Sequence, residues 1–93
     1  MKSNALKINE ADNVAVATRL IKKGSPVVVG GVQLFHAAAD IELGHKIALM
    51  PIESGEKVFR YGEPIVEAIQ DIAQGDWVHV HNTKPVLEEP GNP

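Results

Sequence analysis

The chain has 93 residues, is 44% hydrophobic, carries a formal net charge of −3 and contains no cysteine. That length holds one domain with a modest core, the absence of thiols excludes disulfides and thiolate metal centres, and the lack of a basic block argues against nucleic acid as a partner. No apolar run is long enough to span a bilayer and Met1-Lys2-Ser3-Asn4 is not followed by a signal-peptide core, so a cytoplasmic protein with no membrane partner is expected.

In chain order, residues 5–8 read as a short strand. Asp12 or Asn13 can cap a helix, and Val14, Ala17, Leu20 and Ile21 fall at helical spacing, which predicts a helix over residues 14–22 stopped by Gly24. Residues 26–35 read as a hairpin turning on Gly30-Gly31. A connector over residues 36–40 leads to strands at 46–50, ended by Pro51, and at 57–60. A turn at 61–64 and strands at 65–69 and 77–81 follow. The expectation is a mainly β domain over residues 1–83 with one principal short helix, and a proline-containing tail or linker over 84–93.

One short pattern recurs four times: Ile21-Lys22-Lys23-Gly24, Ile41-Glu42-Leu43-Gly44, Ile52-Glu53-Ser54-Gly55 and Ile72-Ala73-Gln74-Gly75, each followed two residues later by an apolar position. A helical turn closed by a left-handed Gly, then a strand, accounts for it. The glycines lie 20, 11 and 20 residues apart (44 − 24, 55 − 44, 75 − 55), an uneven spacing that argues against a solenoid and for one corner reused in a compact fold.

On a strand over 77–81, Trp77, His79 and His81 share one face, with Val78 and Val80 on the core side. Two imidazoles so spaced can ligate one divalent cation; solvated surface histidines are the plainer alternative. His45 and Lys46 follow Gly44 and point to opposite faces if extended, so one of them faces a cleft, Lys46 to pair with a carboxylate or His45 to move a proton. An exposed lysine and a loop-capping histidine explain the pair equally well. Tyr61 can orient a substrate through its hydroxyl or simply fill a turn, and Asn82 can bind a substrate hydroxyl or cap a strand end. His36 stands alone, and Ser3, Ser25 and Ser54 lack a nucleophile-elbow context.

The segments Asp12-Asn13-Val14-Ala15-Val16-Ala17, Gly44-His45-Lys46-Ile47-Ala48-Leu49, Tyr61-Gly62-Glu63-Pro64-Ile65, Asp71-Ile72 with Gly75, and Val78-His79-Val80-His81-Asn82-Thr83 occur in one order. Together they resemble the SAF domain of the altronate and galactarate dehydratase family. The resemblance implies a β-clip fold and a role in eliminating water from a sugar acid together with a large catalytic subunit or C-terminal region. It implies catalytic roles for His45 and Lys46, substrate binding by Tyr61 and Asn82, and a divalent metal, iron or manganese, held through His79 and His81 in the assembled enzyme. Two positions depart from the family pattern: Val66 stands where a Gly is usual, and Trp77 where a His is often found. The chain is then a small subunit or an N-terminal domain, inactive alone. Sulfolactate sulfo-lyase, which eliminates sulfite from a similar acid, offers a second model, and a non-catalytic SAF module binding carbohydrate or protein a third. Exposed apolar edges on so small a domain point to a homodimer.

Overall fold

The structure is a computed structural model and describes residues 2–86. Nine strands make up its secondary structure: β1 (Ala5–Leu6), β2 (Val14–Ala17), β3 (Pro26–Val29), β4 (Val32–His36), β5 (Lys46–Ala48), β6 (Lys57–Arg60), β7 (Glu63–Ala68), β8 (Trp77–Val78) and β9 (Thr83–Pro85). They form a six-stranded sheet in the order β4-β3-β1-β2-β5-β8 and a three-stranded sheet β6-β7-β9. β9 therefore carries the pairing with β7 as far as Pro85, and residues 87–93 of the expected tail lie outside the described residues.

The helix expected at residues 14–22 is absent; among the described residues there is none, and so none long and apolar enough to cross a membrane. Its first half is β2, a central strand pairing with β1 on one side and β5 on the other. Val14, Ala15 and Ala17 are all buried. A strand covered on both faces shows a continuous apolar run instead of an alternation, and such a run is as compatible with a helix as with a strand. Leu20, assigned to the helix's apolar stripe, is exposed, and Ile21 instead bridges to Ile41. Asp12 and Asn13 cap no helix; they serve a hairpin, as described below.

The four Gly corners are β-turns, not helical turns. Ser25, His45, Glu56 and Asp76 each donate a backbone N–H to the carbonyl three residues earlier, at 2.9–3.1 Å. The Gly at the third position has φ between 85° and 92°, which is the signature of a type II turn. The corners work in pairs. Ile21 and Ile41 exchange backbone hydrogen bonds, as do Ile52 and Ile72. Each corner also closes on a buried alanine: Gly24 donates to Ala37, Gly44 to Ala17, Gly55 to Ala68 and Gly75 to Ala48, all at 2.8 Å.

The chain is thus an internal duplication. Residues 17–47 recur 31 residues on (48 − 17, 52 − 21, 75 − 44), so Ala17, Ile21, Val27, Ala37, Ile41 and Ile47 correspond to Ala48, Ile52, Val58, Ala68, Ile72 and Val78. The first set packs in one core and the second in another. Each repeat holds one hairpin, β3–β4 or β6–β7, with a bulge at the same place, Val27/Val28 or Val58/Phe59. Both turn on two residues of positive φ, Gly30-Gly31 (59°, 80°) and Tyr61-Gly62 (57°, 78°). Val32 and Leu34 are exposed on β4, an edge strand. Asparagine side chains stitch each hairpin to the preceding segment: Asn4 donates to Pro26 O and accepts from Val28 N, and Asn13 does the same to Lys57 O and Phe59 N.

The corners differ in how tightly they are enclosed. A Cβ on Gly75 would lie 2.8 Å from His36 O and 3.2 Å from Ala38 N, whereas one on Gly55 would meet nothing within 4 Å. Gly55→Ala is expected to lose about 1–2 kcal/mol, the cost of a left-handed L-residue. Gly75→Ala adds a clash with fixed backbone and is expected to lose at least twice that. Urea denaturation of the two variants checks the contrast; equal losses would show that the corner at Gly75 can yield.

Candidate functional site

The residues singled out by sequence fall into two groups. Trp77, at the start of β8, packs against the first core and donates Nε1–H to His45 Nδ1 at 3.0 Å. With its Nδ1 accepting, neutral His45 carries its proton on Nε2. His79 lies against both: its ring centroid is 4.8 Å from Trp77 and 5.1 Å from His45, with interplanar angles of 12° and 30°. His81 joins with its ring centroid 5.0 Å from that of Trp77, at an interplanar angle of 37°. The result is one cluster of three imidazoles around an indole.

This cluster is not built on a strand face. β8 ends at Val78, and residues 79–82 form a turn. Val80, expected on the core side, is 77% exposed. The turn is shaped by Asn82, which is 1% exposed. Its Oδ1 accepts from His79 N and its Nδ2 donates to Trp77 O, the pattern already seen at Asn4 and Asn13. Thr83 Oγ1 donates to His79 O. Asn82 thus presents its amide to the backbone that carries the two histidines.

Lys46 diverges from its neighbour His45. It is half-buried and lies near Arg60; burial pushes its ammonium below the usual lysine range, and the Arg60 charge pushes it further the same way. The Arg60 guanidinium carbon sits 4.9 Å over the Tyr61 ring. Tyr61 is the only non-Gly residue with positive φ among the described residues, and its ring is largely exposed. Asp12 holds that turn: Oδ2 accepts from Tyr61 N at 3.0 Å and Oδ1 from Gly62 N at 2.7 Å. Sequence reasoning missed Arg60, whose one available signal was its place next to Tyr61.

The donors of this chain do not complete a metal site by themselves. Among the described residues no three His, Cys, Asp or Glu side chains are grouped to hold one. Of the three clustered imidazoles, His45 has Nδ1 engaged by Trp77 and a proton on Nε2, so it offers a hydrogen-bond donor rather than a lone pair. The cluster can stack against an apolar face of a ligand and donate or exchange protons with its hydroxyls. Among the described residues no enclosed pocket surrounds it.

Residues 3–85 match the family described as the altronate/galactarate dehydratase SAF domain. The chain is similar to altronate dehydratase of Bacillus subtilis (strain 168), 44% identical over 84 residues, which are 90% of this chain and 17% of that protein. It is similar to (2R)-sulfolactate sulfo-lyase subunit alpha of Paracoccus pantotrophus, 44% identical over 48 residues, 52% of this chain and 72% of that subunit. It is also similar to galactarate dehydratase (L-threo-forming) of Escherichia coli (strain K12), 33% identical over 75 residues, 78% of this chain and 14% of that protein.

Proposed function

The chain belongs to the altronate/galactarate dehydratase SAF-domain family, and on that premise we propose that it is the SAF part of a cytoplasmic lyase that eliminates water from a sugar acid, inactive alone and completed by a larger catalytic region. One observation carries the reading: the match takes in 90% of this chain but 17% of the altronate dehydratase it resembles. The surface supports it. A small polar substrate needs a concave site, and the histidine cluster and the Lys46–Arg60–Tyr61 group offer open surface for a second protein surface to cover.

In this reading neutral His45 offers its Nε2–H as a hydrogen bond to the departing hydroxyl, which takes its proton from an acid of the larger region and leaves as water, and His79 and His81 orient the substrate beside it. The base that removes the α-proton belongs to the larger region, which also supplies the ligands that complete a divalent-metal site, since this donor set does not close one alone. A sulfite-eliminating lyase is the second reading, favoured by the similarity to a sulfo-lyase subunit of which 72% is covered.

Reconstitution tests the proposal. The 93-residue chain is mixed with an altronate dehydratase lacking the matched N-terminal part, and formation of the 2-keto acid and release of sulfite are followed on the respective acids. Activity is expected only from the mixture. A truncated dehydratase that is fully active without the chain, or a mixture that stays inactive on every acid, would favour a non-catalytic binding module.

A further inference from the structure

We propose that Lys46, Arg60 and Tyr61 form an anion site that receives a carboxylate of a small hydroxy acid. Identifying the anion rests on the lyase reading above; the site itself rests on three local irregularities that meet at one place. First, Arg60 Nε is buried and has no hydrogen-bond partner among the described residues. A buried donor is almost always paired, so this one is a fork whose acceptor is missing. Second, Lys46 and Arg60, both half-buried, have no ion-pair partner among the described residues. The ion pairs among the described residues are Lys22–Asp40 and Lys84–Glu67, and neither involves Lys46 or Arg60. Asp12, which binds the adjoining turn, is committed to backbone N–H groups of Asn9, Tyr61 and Gly62. Third, Tyr61 holds φ 57° at a position where its counterpart in the first repeat is Gly30, at 59°. Glycine would occupy that conformation without strain.

The duplication supplies the comparison. Thirty-one residues before Arg60 and Tyr61 stand Val29 and Gly30. The fold therefore closes the same hairpin end with small apolar residues. The strain and the orphaned donor are confined to the hairpin end of the second repeat, and departures from local consistency of this kind mark function. The chemistry is that of oxyanion capture. A guanidinium takes a carboxylate through two parallel N–H bonds, and a neighbouring ammonium adds a point charge. The exposed Tyr61 ring over the guanidinium swings aside to open the buried Nε edge and offers its hydroxyl to the acid's own hydroxyls.

The test uses the whole chain, isotope-labelled for NMR, with galactarate as the probe, galactitol as its uncharged counterpart and sulfate as a plain anion. Galactarate is expected to shift the Arg60 Nε–H resonance and the Tyr61 amide saturably, and galactitol to leave them in place. Lys46→Met and Arg60→Met, with otherwise unchanged amide spectra, are each expected to weaken binding at least about 10-fold. No saturable shift, or undiminished binding in both variants, would overturn the site. Equal response to sulfate would overturn its assignment to a carboxylate. The two readings fail separately. Reconstituted lyase activity that survives both substitutions removes this site and keeps the lyase. Specific galactarate binding without any reconstituted activity keeps the site and removes the lyase.

Discussion

Asp12→Ala is expected to leave the chain largely unfolded at 25 °C. Asp12 is 1% exposed, and its carboxylate accepts backbone N–H groups from two separate segments. Asn9 N and Tyr61 N reach Oδ2 at 3.0 Å, and Gly62 N reaches Oδ1 at 2.7 Å. The alanine variant strands these donors in an interior from which water is excluded, at about 1–3 kcal/mol each. It also removes what holds Tyr61 in the left-handed region, a conformation that costs an L-residue about 1–2 kcal/mol. The combined loss, on the order of 5 kcal/mol, is comparable with the whole stability of a small domain. Asp12→Asn keeps one acceptor oxygen and is expected to lose about half as much. Thermal and urea denaturation followed by circular dichroism measure both. An alanine variant within about 1 kcal/mol of the parent would show that the turn at Tyr61-Gly62 is self-sufficient.

The same carboxylate gives the fold an acid limit. Burial alone raises the Asp12 pKa, but the N–H groups of Gly62, Asn9, Tyr61 and Ile8 outweigh it and hold the carboxyl below its ordinary 3.8. The folded chain therefore binds this proton less readily than the unfolded chain. The contribution is fully present above the ordinary carboxylate value and is lost as pH falls through the lower, folded one. Asp12→Asn is accordingly expected to flatten stability against pH below about pH 4.

Much of the architecture can be read in the residues where chemistry forces a local choice. Gly30-Gly31 announces a two-residue hairpin, and the corners at Gly24, Gly44, Gly55 and Gly75 all take positive φ, as their pattern requires. Some features were hidden for identifiable reasons. Val14-Ala15-Val16-Ala17 is apolar throughout because β2 is covered on both faces, and that erases the alternation by which a strand is known. The glycine spacing of 20, 11 and 20 looked irregular only because the repeating unit contains two corners; taken in pairs, the period is constant. The turn at residues 79–82 was hidden for a third reason. Trp77, His79 and His81 alternate as a strand would, but Asn82, buried and bonded back to Trp77 O and His79 N, bends the chain there. The rings still converge, by stacking on Trp77 rather than by sharing a strand face.

That convergence leads to the largest expected effect on catalysis. His79→Asn and His81→Asn are each expected to lower turnover of the reconstituted lyase at least about 100-fold, the usual loss when a proton-transferring or orienting group is removed. The fold is expected to survive. Neither ring belongs to either core, His81 is exposed, and the bonds that shape the turn run to the His79 backbone, through Asn82 Oδ1 and Thr83 Oγ1. Trp77→Phe provides the companion measurement. It keeps an aromatic platform but removes the Nε1–H that fixes the His45 tautomer, so the nitrogen resonances of His45 should shift toward a mixture of the two neutral forms. Turnover is measured with divalent metal in excess. Because the described side chains do not assemble a metal site, the loss in the histidine variants is expected to persist there. Restoration by added metal would make His79 and His81 ligands instead. Full activity in the double variant would assign both to the solvated surface and return the chemistry entirely to the larger region.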